Sequence, residues 1–513
     1  MKENLNIVEF VDIEKEVTSK DKIHKYAKII PILSIIIAII IILITIISLM
    51  NDEESYNEKE QENEKDREDK EEDQKEKEDP KDGDIVIDIC ETGENDKCLT
   101  CENNQCVSCN YNFELINGTC VANFSITATY ITNEFDENID LINPIFLFNI
   151  INMEIDKEVV EPCTDYTFKS KGEHTVYIDI DTSNLKFLVS MFSLNEKITS
   201  VFFSKNFNTQ NITDMKGLFY GCSRLTSVDI SNFNIDSLEN MILMFAECSS
   251  LTSIKLPKSS NSNLKSINSM FYQCSDLTSI DLSNFNTQNV IDMSSLFYDC
   301  YNLKSINFTD FKTNNVEKMD DMFLNCTSLT SINLSTFKVE NVNSMKNLFY
   351  GCSSLISIDL SNFKTPNLIN INNMFQNCHS LKYVNLSNFE TEKITSFINL
   401  FNECSSLISI DVSNFKTANA RNMSYMFYGC SSLTSIDLSN FNTKKVKNMN
   451  HMFAECKSLG YIDISSFTLS SDPILIYDNF FASLPLSGKI KLTRFFYDKI
   501  KDYIPDTWRK IFS

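Results

Sequence analysis

Residues 274–299 read CSDLTSIDLSNFNTQNVIDMSSLFYD. The same unit recurs along the chain: Cys222, Cys248, Cys274, Cys300, Cys326, Cys352, Cys378, Cys404, Cys430 and Cys456 follow one another at intervals of 26 residues, with no insertion or deletion. A fixed period in this range marks an array of stacked supersecondary units rather than one globular core. Within the quoted copy, Leu277, Ile280 and Leu282 form L-x-x-I-x-L, and Ser279-Ile280-Asp281-Leu282 alternates polar and apolar. That alternation is the pattern of a short strand with one face buried. Beyond Phe285, the residues Val290, Met293 and Leu296 recur every third position, with Phe297 beside the last. Spacing of three predicts a helical or 3-10 segment with one buried edge, and Thr287 is placed to cap its start.

One unit cannot bury its own apolar side, whereas stacked copies lay each Leu, Ile, Phe, Met and Cys over its counterpart. With parallel strands spaced by about 4.8 Å, ten copies predict a curved rod roughly 50 Å long. Period and core motif match the leucine-rich repeat class. Over residues 198–467 the chain resembles BspA-like leucine-rich repeat surface proteins, in the form with NMFxxCxSLTSIDLSNFxT repeats common in mycoplasma and protist surface proteins. The fold expected is an α/β solenoid, with parallel strands on one side and short helical or 3-10 convex segments on the other. Two copies depart from the pattern. Coil Cys248 carries Leu256-Pro257-Lys258-Ser259-Ser260 and lacks the usual Phe and Thr. Upstream, Met191-Phe192, Ile198, Val201 and Phe207 form a copy in which Asn195 replaces the cysteine and one extra residue is present, as suits a capping unit.

The chain has 513 residues and a formal net charge of −24. Acidity of this size argues against nucleic acid and anionic lipid headgroups as partners. Residues 1–28 are polar, with six acids among six lysines, and read as a cytoplasmic tail without cleavable signal architecture. Residues 29–50, IIPILSIIIAIIIILITIISLM, carry no charge and are long enough to span a bilayer. Lys20, Lys22, Lys25 and Lys28 precede them, and Asp52, Glu53 and Glu54 follow. Positive charge marks the cytoplasmic side, so the reading is an uncleaved signal anchor, type II and single-pass, with everything after residue 50 outside the plasma membrane. Cleavage is the alternative. Residues 51–84 hold 18 acidic and 7 basic residues and almost no apolar ones, which predicts a solvated stalk, disordered or extended.

Residues 85–120 contain Cys90, Cys98, Cys101, Cys106, Cys109 and Cys120. Outside a membrane, this density predicts a small module held by disulfides, because its core would otherwise be too small. Zinc held by the two C-x-x-C pairs is the alternative, disfavoured by the short gap between them. The string CLTCENNQCVSC…LINGTC resembles cysteine-rich modules of growth-factor-receptor and EGF-like type. Residues 121–197 read as a small β-rich domain in which FSITATYI and HTVYIDID alternate as strands do, with turns at Asn143-Pro144 and Gly172-Glu173. The resemblance implies that such a domain stands directly before the first repeat, where it would shield the end of the solenoid. Residues 468–513, with Phe480, Phe481, Phe495, Phe496, Tyr497 and Trp508, read as the C-terminal cap. Their basic run Lys489, Lys491, Arg494, Lys499 and Lys501 reads as a solvated face; a membrane or acidic partner is the alternative.

No catalytic constellation is present: His174, His379 and His451 are scattered, and no phosphate loop, metal-spaced His pair or nucleophile elbow occurs. No cofactor is expected. The seventh residue after each cysteine, on the expected concave face, is Asp229, Lys255, Asp281, Asn307, Asn333, Asp359, Asn385, Asp411, Asp437 or Asp463. This polar ladder is the candidate ligand face; stacked carboxylates holding Ca²⁺ are weighed against a simply solvated strand face, and the latter is favoured. The in-register cysteines are read as buried free thiols rather than a ladder of disulfides. Sequons at Asn117, Asn123, Asn211, Asn307, Asn333, Asn385 and Asn422 could carry N-glycans, while Asn325, beside Cys326, is expected to be too buried. The resemblance implies attachment to host or matrix proteins. The expectation is therefore adhesion or recognition through protein or glycan contacts on the solenoid, against the alternative of a structural coat glycoprotein without a specific ligand.

Overall fold

A computed structural model describes residues 124–513 except 259–262, 284 and 469–476, together with the backbone of four short strands: Cys98–Glu102, Gln105–Cys109, Phe113–Ile116 and Thr119–Ala122. The expected tail, membrane span (29–50), acidic stalk and Cys90 lie outside the described residues, as do Asn117 and Asn123 and the cysteine side chains of the 85–120 module. Among the described residues no helix is long and apolar enough to cross a membrane. The four short strands form two antiparallel hairpins, the first placing Cys98 opposite Cys109 and Cys101 opposite Cys106.

Each coil, counted from its cysteine, makes one complete winding, so that like residues fall on like residues. In the pair Ser279–Asp281 and Ser305–Asn307 the strands run parallel, with Ile280 against Ile306 and Asp281 against Asn307. On the far side a second ladder joins the same coils. There Ile267, Ser269, Phe271 and Gln273 donate their backbone N–H groups to the carbonyls of Asp292, Ser294, Leu296 and Tyr298, at 3.2, 2.9, 3.1 and 2.7 Å.

This second ladder corrects the expected convex helices. The described part of the coils contains none, and the architecture is a parallel β-solenoid rather than α/β. The reason lies in the backbone. Ser269 and Gln273 have φ of 54° and 56°, and Ser295 and Asp299 repeat this at 55° and 57°. A residue in the left-handed region every four positions cannot lie within a right-handed helix. The three-residue spacing of apolar side chains arises instead from linked single turns, such as Met270 N–H to Ile267 O at 3.2 Å, while the other donors serve the next coil. Thr287 does not cap a helix either. Its hydroxyl donates to Lys312 O at 2.6 Å and accepts from Lys312 N–H at 2.9 Å, which ties it to the next coil.

The interior is a set of side-chain columns. From Phe192 through Phe219 to Phe453, consecutive rings lie 5.4–6.0 Å apart and within 1–10° of parallel. Leu277, Ile280, Leu282, Met293 and Leu296 of the quoted copy are all buried beside them.

Both ends are closed, by different means. At the N-terminal end, strand Ile198–Phe203 is the first of the stack. It pairs parallel with Ser227–Asp229 on one side and antiparallel with Ile126–Thr132 on the other. The preceding domain and the first coils therefore share one seven-stranded sheet. Asn195, standing where a cysteine would, is buried. Its amide donates to Asp140 O at 2.5 Å, and its Oδ1 accepts from Lys197 and Ile198 N–H. Lys197 holds the Glu137 carboxyl down at about 2 through a 2.5 Å ion pair. Gly172 opens strand Gly172–Ile180 rather than forming a turn, and Asn143 caps the 3-10 segment Pro144–Asn149. At the C-terminal end, strands Lys489–Leu492 and Arg509–Phe512 extend the parallel sheet from Tyr461–Ile464. Helix Arg494–Ile500 and Trp508, whose indole donates to Pro485 O at 2.8 Å, cover the last coil. Gly488 is required there, because a Cβ would lie 2.6 Å from the Trp508 ring.

Candidate functional site

The polar residues repeated from coil to coil are engaged within the solenoid. On the strand face, Asp229, Asp281, Asn307, Asn333, Asp359, Asn385, Asp411, Asp437 and Asp463 each accept, through Oδ1, the backbone N–H two residues ahead at 2.9–3.2 Å. Asp or Asn at this position is thus explained by a local Asx turn that closes the strand, whatever the face binds. The turn bonds from Ser283 and Ser361 hold the Asp281 and Asp359 carboxyls below their ordinary range, and those from Ser413 do the same for Asp411. Lys255, the one basic residue in the column, pairs with Asp229 at 2.7 Å. Lys491 of the C-terminal basic run pairs with Asp463 at 2.9 Å, and Arg494 of that run lies 4.7 Å over the Phe512 ring. Asp359, Asp411 and Asp437 have no ion pair among the described residues. No group of three or more His, Cys, Asp or Glu that could hold a metal ion occurs among the described residues.

A second repeated residue, three positions after the Asp or Asn, is an inter-coil clamp. The amides of Asn362, Asn414 and Asn440 each donate to three carbonyls of the preceding coil, at 2.9–3.3 Å. Nothing in the one-dimensional pattern distinguishes such an Asn from a solvated loop residue, although its recurrence before Phe in six of the ten copies was a usable signal.

The ten column cysteines are fully buried and carry free thiols. Each Sγ donates to the carbonyl of a Phe in the coil before, at 3.0–3.2 Å. Burial pushes Cys222, Cys352 and Cys456 up to about 12. They act as small apolar fillers that also satisfy a carbonyl.

Of the sequons, Asn211, Asn307, Asn333 and Asn385 are exposed, whereas Asn422 and Asn325 are half-buried. Asn307 is engaged through Oδ1 by the Thr309 hydroxyl at 2.8 Å, and Asn422 by the Ser424 hydroxyl at 2.7 Å. The histidines lie apart. His174 is buried against Asp156 at 2.6 Å, His379 is exposed, and His451 stacks on Tyr425 at 4.6 Å. The irregular copy Leu256–Asn263 includes residues outside the described set; of its described part, Asn263 donates to Asp236 O at 3.1 Å.

The strand face departs from its pattern elsewhere. The fourth residue after the cysteine is Thr in five of the ten coils, Lys304 and Gly460 in two, and Ile356, Lys382 and Ile408 in three successive ones; the fifth is Ser except for Tyr461 in the last coil and Tyr383 in the middle of those three. Ile356, Tyr383 and Ile408 are 47%, 55% and 39% exposed.

A family model described as "Mycoplasma protein of unknown function, DUF285" matches three overlapping segments, 165–279, 265–383 and 370–483, which together cover more than half of the chain. No curated protein matches it significantly. Among solved structures, a leucine-rich repeat protein from Eubacterium ventriosum is 18% identical, with a TM-score of 0.26 over 56% of this chain and 81% of that one. The pneumococcal vaccine antigen PcpA is 12% identical, with a TM-score of 0.26 over 59% of this chain and 78% of that one. TLR13, solved in complex with ssRNA13, is 16% identical, with a TM-score of 0.24 over 59% of this chain and 49% of that one. Likeness at this level brings nothing of those proteins' ligands to this chain.

Proposed function

The chain belongs to the DUF285 family of mycoplasma proteins, and from that premise we propose that its solenoid is a recognition scaffold, held outside the cell, that binds a protein or glycan through its strand face. One observation carries the reading. The repeated Asp and Asn residues are occupied by turns and inter-coil bonds, so they build the stack, while the exposed fourth position differs from coil to coil, as Thr, Lys or Ile, on the same backbone. A rigid array with an outward column that varies between coils suits protein–protein recognition.

The remaining parts of the proposal rest on sequence. Residues 29–50 anchor the chain as a single-pass type II segment, the acidic stretch lifts the folded part off the membrane, disulfides hold residues 85–120, and exposed sequons carry glycans. The specific form of the function is adhesion, and the affiliation within leucine-rich repeats is BspA-like. Chemistry on a substrate is no part of this reading. Surface biotinylation of intact cells tests the location, with Lys312 or Lys338 labelled only if the solenoid is outside. A panel of immobilised matrix proteins and glycans, probed with the full chain in detergent, tests binding. A second reading, a structural coat without a specific ligand, is favoured by the uniformity of the fifth strand position, which is Ser in all but two of the ten coils. That reading predicts lattice formation by the full chain and no ligand on the panel.

A further inference from the structure

We propose that coils Cys352, Cys378 and Cys404 carry the binding hot spot of the strand face, and that its occupant is a segment of a partner protein with apolar anchors flanked by a basic side chain. This deepens the scaffold reading and rests on it.

Three observations converge. First, exposed positions that are Thr in five coils and Ser in eight become Ile356, Tyr383 and Ile408 in three adjacent ones, the one place in the coils where Ile stands at the fourth position. Lys382 N–H donates to Ile356 O at 2.8 Å and Ile408 N–H to Lys382 O at 3.4 Å, so the three apolar side chains stand on directly stacked coils of a largely hydroxylated face. Interiors do not require them: the same backbone is built elsewhere in this chain with Thr and Ser. A buried aromatic with aliphatic neighbours is the usual composition of an energetic centre in an interface.

Second, the charge beside the patch is left unmatched. At its ends the acidic column is neutralised by the chain itself, Asp229 by Lys255 at 2.7 Å and Asp463 by Lys491 at 2.9 Å. Asp359 and Asp411, in the same coils as Ile356 and Ile408, are exposed and have no ion pair among the described residues; their Oδ1 atoms close the turn, and the Asp359 carboxyl also takes a hydrogen bond from the Asn385 side chain. Neither carboxylate meets a cation among the described residues, which leaves both charges for a partner to match. Lys382, exposed between the two isoleucines on the opposite flank of Tyr383, likewise has no ion pair among the described residues. The patch is therefore polar across its width, negative on the flank of Asp359 and Asp411 and positive at Lys382, which fixes the orientation of a segment lying over it.

Third, a second copy of the chain is a poor occupant, because each carries a net charge of −24 and two such surfaces repel.

The test uses a change the fold already tolerates. I356T/Y383S/I408T gives these coils the residues their neighbours carry, so it keeps the stack. Phage-displayed random linear peptides are selected on the full chain in detergent, and enriched sequences are measured against wild type, the triple variant and D359N/D411N. The expected result is enrichment of peptides with at least two Leu, Ile, Phe, Tyr or Trp and a nearby Lys or Arg, at least tenfold weaker on the triple variant and several-fold weaker on D359N/D411N, the latter loss disappearing at high salt. Peptides that bind wild type and the triple variant equally overturn the hot spot but leave the scaffold reading standing. Enriched acidic peptides overturn the assigned chemistry. No enrichment on any form counts against both. Concentration-dependent dimerisation in sedimentation, abolished in the triple variant, would assign the patch to self-association and overturn the proposal.

Discussion

The interior of the solenoid and its strand face are made from the same short repeat, yet they obey different constraints. Inside, a residue must match the one in the next coil: Phe297 lies 5.4 Å from Phe271 and 6.0 Å from Phe323, all three fully buried. Outside, Ile356, Lys382 and Thr434 occupy equivalent positions with nothing in common but the backbone. The contrast teaches that similarity among copies reports architecture, and that individuality must be sought where similarity fails.

Labelling and substitution experiments break or sharpen this contrast. The largest effect is kinetic. A thiol moved from 9.0 to about 12, as at Cys352, presents about a thousandfold less thiolate at neutral pH, and it is shielded as well. Native alkylation followed by peptide mapping should leave all ten column cysteines unmodified and label them only after unfolding; labelling of any of them in the folded protein would show an open interior. Next, F323A in mid-column should cost about 3–5 kcal/mol, read as a fall in the denaturant midpoint, because flanking coils cannot collapse into the gap. N414A removes an amide from three carbonyls and should cost about 2 kcal/mol. D359A loses the turn bond and should cost about 1 kcal/mol, while D359N keeps Oδ1 and should cost almost nothing at neutral pH.

The last pair also separates in acid. The Asp359 carboxyl sits below its ordinary 3.8, held first by the Ser361 N–H. Its stabilising part is present above 3.8 and is lost as pH falls through the lower folded value. D359N should therefore lose less stability than wild type below about pH 4 in acid titration. The smallest effect belongs to the outside: I356T/Y383S/I408T should move stability by about 0.5 kcal/mol or less, and a drop comparable to F323A would make the patch part of the core.

The period and the L-x-x-I-x-L core were enough to place Ser279–Asp281 on a strand and to stack Ile280 on Ile306. What they hid was backbone handedness. Ser269 and Gln273 adopt φ near 55°, which favours Gly or Asn, and their side chains do not announce it, although equivalent positions in other copies are Gly217, Gly221, Asn347 and Gly351; a three-residue apolar spacing reads as helix when those positions are taken as ordinary. The Asp and Asn ladder was visible as a column, but its Asx role required coordinates, since an acceptor for the next N–H and a ligand for a cation look alike in sequence. Asn195 could be recognised as a replaced cysteine. That it fastens Asp140 depends on a contact 55 residues away, which no local pattern encodes. The substitutions Ile356, Tyr383 and Ile408 are readable when the copies are set side by side, but a change of Thr to Ile is less conspicuous than the broken motif at Leu256-Pro257.

The two inter-coil ladders have a mechanical consequence. Their hydrogen bonds point along the stack rather than across it, so tension applied end to end loads each bond in its weakest direction, one coil at a time. The antiparallel seam between Ile126–Thr132 and Ile198–Phe203 lies within the same sheet and hands that tension directly to the first windings. Each 26-residue winding that lets go would pay out on the order of 80 Å of slack, leaving the windings beyond it intact, so the molecule would yield under a tug by unreeling rather than by snapping.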